Sequence, residues 1–541
     1  MIDQRYLGGE AGHRSLWGGV STRKARNVGL AIVGAATVIV VPLVGYPGLA
    51  LCLISAAAVY VFTTETHRGT PWERWMLRRE WRAREAAGLN RFRPVDRRPP
   101  ELHAAFLASK GRARASVAGE WNTYRDWPDG AEGMRWLLRK PHVPGIAWHA
   151  PTGEDAWLSV VFPLGGQISG IQGDDVVNAR SRAFGRLLGS LGMVTALAKR
   201  IQILTHIQPI DTAAHESWIA DEVDLEAPEE LLRSYKEVID RLGGGGLMQR
   251  HYAVVRWPLS PRFLRLAERK APGRDGWILL MGQEIDAAWR EMYRAKLDPG
   301  RALSAAQTAA VLRHLQMPSW PMDQAGDVDP ENPWLESDQG WSWVTVADQG
   351  PDGLEETWFH RTAELPVRAM ETSGRNALWM LPLLSQLPRQ RVVRTISVQL
   401  EGVPQQTARS QARVDLTSDL AEESARARKG VLSDDDLDEG LTAARARVRD
   451  LKPGKGHHGL EYVIHVTVSS ETEVELRSAC ELLTEAAHKA GVRELRWLDT
   501  QQAGAHACTW PLARGMKPAR QTAGAWAAGV LAGTGPKEEL M

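Results

Sequence analysis

Residue types that commonly do chemistry are present in this sequence, but not at working spacings. Pro453-Gly454-Lys455-Gly456 is its nearest approach to a phosphate-binding loop. It lacks the upstream glycine and the following hydroxyl that a cradle for phosphate and Mg²⁺ requires. The glycine run 243–246 precedes Leu247 and a β-rich stretch instead of a helix N-terminus, so it reads as a flexible loop and not a dinucleotide site. His215-Glu216 has no second histidine to complete a zinc-binding helix. His457, His458 and Glu461 have ligand chemistry, but their Gly/Lys-rich setting reads as a surface loop. There is no G-x-S-x-G nucleophile elbow. Cys480 falls on the apolar face of a helical pattern and reads as a small buried hydrophobe. Asp174-Asp175 opens a helix, where carboxylates favour the macrodipole. The Arg-rich stretch 409–449 carries Asp and Glu throughout and reads as a solvated helical face. No catalytic centre, cofactor or metal site is expected.

Composition narrows the class. Lys+Arg number 66 and Asp+Glu 65, a balance that argues against a chain-wide nucleic-acid binder. Cys52, Cys480 and Cys508 are too few and too scattered for a disulfide framework, which suits a reducing compartment. The 22 Trp against 8 Tyr and 7 Phe suit cores and interfaces alike, so they decide nothing alone.

Two uncharged runs, 28–44 and 49–62, flank Gly45-Tyr46-Pro47-Gly48. Each is slightly short of the ~20 residues of a spanning helix, and the break lies between them. The pattern predicts a transmembrane helical hairpin over 28–62, in preference to a secretory signal or a buried soluble hairpin. Arg14, Arg23, Lys24 and Arg26 precede it, and 13 Lys/Arg against 5 Asp/Glu follow between Arg68 and Arg114. Basic flanks on both sides put both termini in the cytoplasm, with the protein multi-pass in the cytoplasmic membrane. Thr70-Pro71 then starts a helix in which Trp72, Trp75, Arg74, Arg78 and Arg79 suit the headgroup region, with a solvated helix as the plainer alternative.

The remainder shows one alternation twice. Apolar stretches 145–150 and 156–162, a helical pattern 174–199, a β-rich run 201–207, a helix 229–242 and a run 251–257 form the first copy. Runs 341–347 and 356–360, a helix 376–387, runs 392–400 and 462–468, and a helix from a capping box at Ser470-Glu471-Thr472-Glu473 to Ala490 form the second. The expected architecture is α+β: an N-terminal two-helix transmembrane hairpin followed by two ferredoxin-like α/β cytosolic domains. Its divisions are a cytoplasmic segment 1–27, the hairpin 28–62, a basic juxtamembrane helix and linker 68–115, and a first α+β domain 133–260. A helical connector 275–339, a second α+β domain 340–512 with a helical insertion 405–450, and a mobile tail 516–541 complete it.

The basic start, the paired apolar runs and Thr70-Pro71-Trp72-Glu73-Arg74-Trp75 resemble PrgI-type membrane subunits of Gram-positive conjugation machines. The blocks Arg394-Thr395-Ile396-Ser397-Val398-Gln399-Leu400-Glu401-Gly402-Val403-Pro404, 462–468, 498–502 and Ala507-Cys508-Thr509-Trp510-Pro511-Leu512 resemble the non-catalytic N-terminal domain of the type IV secretion transfer ATPase. The whole resembles an actinobacterial family that fuses the two and leaves the motor on a separate chain. The resemblance implies a membrane-anchored, non-enzymatic structural component of a conjugative, type IV-like translocation machine. Its implied partners are the lipid membrane, a separate transfer ATPase and other channel subunits in a multi-subunit complex, without sequence-specific nucleic-acid binding. Trp497 and Trp510 are the candidate docking anchors. An EccE-like structural subunit of a type VII secretion system is the alternative.

Overall fold

A computed structural model describes residues 5–7, 30, 33–39, 41–43, 45–62, 64, 71–166, 172–209, 227–243, 247–322, 328–350, 353–370, 373–385, 387, 392–428, 435–452 and 457–515. A short sheet joins β1 (Arg5–Leu7) to β12 (Ser373–Arg375). All other strands belong to one 13-stranded sheet. In chain order they are β2 (Arg91–Pro94), β3 (Tyr124–Arg125), β4 (Met134–Leu138), β5 (Ile146–His149), β6 (Trp157–Leu164), β7 (Arg200–Pro209) and β8 (Leu247–Pro258). β9 (Ser337–Gln339), β10 (Val344–Gln349), β11 (Glu355–Leu365), β13 (Val393–Val403), β14 (Gly459–Ser470) and β15 (Arg496–Trp497) follow.

The strand order is β3-β2-β9-β10-β11-β14-β13-β7-β8-β6-β5-β4, with β15 on β11. The sequences β5-β6-β8-β7 and β10-β11-β14-β13 are the same arrangement met twice. They are joined antiparallel where β7 lies against β13, with Ile203 opposite Val398. This corrects the expectation of two ferredoxin-like domains: each half offers its last strand to the other, and one sheet runs through both. A local pattern shows that a strand exists but not which distant strand covers its edge.

The sheet is coiled. Twelve strands in a row would extend about 50 Å if flat. Its two outermost strands, β3 and β4, are separated in the chain by only residues 126–133, a length that reaches about 30 Å at most. Phe92 on β2, Met134 on β4, Val161 on β6 and Leu204 on β7 accordingly share one core with Trp334 and Trp510. The helix Ala305–Gln316 lies in this concavity, with nine of its residues buried. Its buried residues include Thr308, His314 and Gln316 beside the apolar ones, as an enclosed helix requires, and Ser304 and Gln307 close its N-terminus in a reciprocal capping box.

The outer face carries conventional amphipathic helices. Asp174–Leu191, Pro261–Glu268 and Gly273–Arg294 cover Val160, Ile201, Val255 and Leu400. Glu473–Lys489 covers Ile396, Ile464, Val466 and Val468. Its N-cap is Thr472, whose hydroxyl accepts the Glu475 amide at 3.3 Å, two residues beyond the capping box read from sequence. Residues 91–94, inside the expected juxtamembrane helix and linker 68–115, form β2 and pair with β9.

The N-terminal apolar region differs from expectation. Gly45 adopts φ +69, and Pro47 sits in the first turn of the helix Tyr46–Phe62, so Tyr46-Pro47-Gly48 already belongs to a helix. That helix has 17 residues, about 25 Å at 1.5 Å per residue, against a hydrocarbon core of about 30 Å. Parts of the first run, 28–44, lie outside the described residues. Among the described residues no helix is long and apolar enough to cross a membrane. The two-span hairpin and the multi-pass membrane localisation are corrected accordingly.

Candidate functional site

Strand alternation puts Arg200, Gln202, Leu204, His206 and Gln208 of β7 on the inner face, beside Thr395, Ser397, Gln399 and Glu401 of β13. Such a face ordinarily meets water. Here the helix Ala305–Gln316, the helix Gln502–Ala507 and residues 508–514 cover it, so its polar groups pair with one another and with the cover. Gln202 Nε2 donates to Ser397 Oγ at 2.8 Å and to the Trp510 carbonyl at 2.9 Å, while its Oε1 accepts the Ala513 amide at 2.8 Å. His206 Nδ1 lies 2.8 Å from Thr395 Oγ1, and its Nε2 lies 3.1 Å from His314 Nε2 on the central helix. His360 Nε2 donates to the Gln316 carbonyl at 2.9 Å, so its Nδ1 accepts from Ser469 Oγ at 2.8 Å. The His506 ring stacks on His360 at 4.2 Å.

Burial holds the His206, His360 and His506 imidazoles neutral. It pushes His206 and His506 well below the ordinary histidine range and His360 and His465 to about 4. Gln399 is the exception among the paired groups. It is fully buried, and among the described residues neither of its amide atoms has a hydrogen-bond partner.

At one end of this face lies a cleft of about 420 Å³. Its walls come from the loop that leads into β4, the β5–β6 turn, the facing ends of β7 and β8, and residues 504–515. Three guanidinium groups line it. Arg200 donates to Glu401 from Nη2 at 2.6 Å and Nε at 3.1 Å. Arg514 is held by Glu132 at 3.1 Å and by the Glu132 carbonyl at 2.8 Å. Arg256 Cζ lies over the Trp157 ring, 3.7 Å from its centroid, and the side chain donates to the Ala513 carbonyl at 3.3 Å. Burial and the nearby Arg200 charge lower Arg256 to about 9. Cys508, also lining the cleft, is pushed up to about 12 by burial, so its thiol is a poor nucleophile.

A second feature stands away from the core. The helices Gln405–Arg428 and Asp435–Asp450 are inserted between the paired strands β13 and β14 and lie against each other. Ala408, Ala412 and Leu451, with Val403 and Val448, anchor the base of the pair. Beyond the base, Val414 is 67% exposed and Leu420 40%. The expected interruption 430–435 lies outside the described residues except for Asp435.

The residues singled out from sequence are not brought together. Trp75 is exposed on the helix Pro71–Ala86, with Arg79 over its ring at 5.6 Å. Arg78 is exposed and Arg74 half-buried on the same helix, while the Trp72 side chain lies outside the described residues. Trp497 is half-buried on β15 beneath Arg361, 4.5 Å from its ring centroid. Trp510 is buried, stacked on Trp334 at 5.7 Å. Cys480 is buried under the outer face. His215, Glu216, the glycines 244–246, residues 453–456 and the tail 516–541 lie outside the described residues. Among the described residues, no group of three or more His, Cys, Asp or Glu is placed to hold a metal ion. Sequence reasoning passed over Arg256 and the buried histidines; the signal was the polar half of each alternating strand. No protein-family model matches the chain, and no curated protein matches it.

Proposed function

We propose that the chain is a non-enzymatic docking component of a conjugative, type IV-like translocation machine, and that its partner is a separate transfer ATPase. The membrane anchor forms no part of this reading. The sequence blocks around β13, β14 and residues 507–512 support the choice of partner, because they resemble the non-catalytic domain that precedes the motor in a one-chain ATPase. A motor on its own chain needs a noncovalent joint, typically burying about 1,200–2,000 Å² in total.

The observation that carries the reading is the inserted helix pair. β13 and β14 pair directly, from Val393 opposite Ser469 to Val403 opposite Gly459. Two or three residues would close that hairpin, yet the chain leaves the sheet for two helices of 24 and 16 residues. Only the base of the pair contributes to a described apolar cluster. Exposed Val414 and Leu420 supply apolar contacts among charged neighbours, the composition of a partner surface.

The test is co-purification of the transfer ATPase with the full chain and with a variant in which residues 413–446 are replaced by a short Gly/Ser connection. The variant keeps Ala412, Val448 and Leu451 at the base. Loss of the ATPase from a folded variant supports the reading; equal recovery refutes it.

A further inference from the structure

The cleft at the end of the buried polar face has the charge arrangement of a ligand site. Its cations are held deep. The Arg200 and Arg514 side chains are each 9% exposed, and Arg256 is half-buried against Trp157. Its carboxylates stand further out. The Glu401 and Glu132 side chains are 34% and 51% exposed, and Glu154, on the β5–β6 turn, is exposed. Solvent screens the outer charges more than the inner ones, so formal neutrality leaves the floor of the cleft positive.

Arg256 is the group left with capacity. Arg200 and Arg514 each have a carboxylate within hydrogen-bonding distance, whereas Arg256 has one carbonyl and one ring face. A guanidinium carries five N–H donors in a planar fork. Its ring and backbone contacts hold the Arg256 guanidinium in place in advance, so less side-chain entropy remains to be lost on binding. Behind Gly515, which lines the same cleft, the fully buried Gln399 has no hydrogen-bond partner for either amide atom among the described residues. A Cβ on Gly515 would come within 3.0 Å of Gln399 Nε2 and 2.8 Å of Cys508 Sγ, so the bare glycine brings the backbone close against those side chains.

We propose that this cleft binds a phosphate-bearing small molecule, with Arg256 as the group that receives the phosphate oxygens. The planar fork matches two oxygens of a tetrahedral oxyanion, and charge-assisted bonds of this kind are the strong ones. At about 420 Å³ the cleft lies within the range of small-ligand pockets and leaves room beyond one phosphate group. Glu154 is the competitor: an exposed rim carboxylate that weakens the field at Arg256 and repels the ligand. The site is separate from the inserted helix pair, and its occupancy does not depend on the docking role.

Calorimetric titration of the full chain with inorganic phosphate, in chloride buffer at constant ionic strength, is the test. Saturable binding is expected. Arg256→Gln should weaken it roughly tenfold or more, the loss of a charge-assisted contact. Glu154→Gln should tighten it about two- to fivefold, the scale of an exposed charge. Glu154 is exposed, so this variant decides the matter if Arg256→Gln does not fold. A pyrophosphate arm separates the sources: tighter binding than phosphate assigns a larger phosphorylated molecule, and equal or weaker binding assigns free phosphate. No saturable heat with either probe, or unchanged affinity in both variants, overturns the proposal.

Discussion

Arg200 on β7 and Glu401 on β13 face each other across the junction of the two halves of the sheet, with Arg200 Nη2 2.6 Å from Glu401 Oε2. The pair lies at one end of an antiparallel seam that runs to Arg394 opposite Ile207. Because the halves share this seam, they cannot unfold separately without exposing its polar and apolar rows together.

Glu401→Ala should therefore lower the denaturation midpoint of a single transition for the whole sheet. The Arg200 side chain would lose its carboxylate while staying buried, and Glu401 is itself about one-third exposed, so the cost should be about 1–3 kcal/mol. Fluorescence and circular dichroism followed in denaturant should give coincident curves. Two separated transitions would mean that the halves fold independently.

Acid should destabilise the fold before the carboxylates titrate. The buried histidines have folded-state values below their unfolded value of about 6.5, and His360 and His465 fall to about 4. The unfolded chain thus binds more protons between those limits. Stability is fully present above pH ~6.5 and is lost as pH falls toward about 4. Denaturation midpoints measured across that window should fall with acid. His360→Gln should flatten the slope by about one proton; an unchanged slope would place the titrating groups elsewhere.

Trp510→Ala should cost about 3–5 kcal/mol, the usual penalty for emptying a buried aromatic site. Its ring stacks on Trp334 and its carbonyl accepts from Gln202, so the substitution loosens both the core and the cover of the polar face. Trp497→Ala should cost less, because that ring is half-buried and faces Arg361. Thermal unfolding of the two variants checks the order, and a larger loss at Trp497 would contradict it.

Removing residues 413–446 takes out the buried Leu441 but keeps the apolar base of the insertion, so it should cost about 1–3 kcal/mol. By contrast, ending the chain at Asp338 would remove β10, β11, β13 and β14 and the Trp510 segment, leaving the β13 edge of β7 uncovered. Such a truncation should fail to fold. Limited proteolysis distinguishes the two: the internal deletion should resist digestion like the full chain, and the truncation should not.

Much of the local structure is legible in the sequence. The runs 201–207, 392–400 and 462–468 locate β7, β13 and β14, whose edges lie one to three residues away. The repeated succession of strands and helices is visible too. The partition into two domains is not, because the β7–β13 pairing links residues about 195 apart and leaves no local periodicity. The polar half of each strand misleads for a physical reason. Alternation shows two unlike faces, and Gln202, His206 and Ser397 look like the wet one until a second layer covers them. The helix Ala305–Gln316 supplies that layer. Its small residues carry little amphipathic signal, so its place inside the sheet follows only from the finished fold. Arg256 was equally hidden, since its role depends on Trp157, Ala513 and the cleft, which come together from three distant parts of the chain.

The docking role of the helix pair is tested most directly by a photo-crosslinking amino acid placed at Val414, with one at Leu107 as control. The two positions are matched in exposure, at 67% and 68%, and lie on different elements. With the transfer ATPase present, the probe at Val414 should yield a covalent adduct containing the ATPase, and the probe at Leu107 should not. Adducts of equal yield from both positions, or from Leu107 alone, would contradict the account.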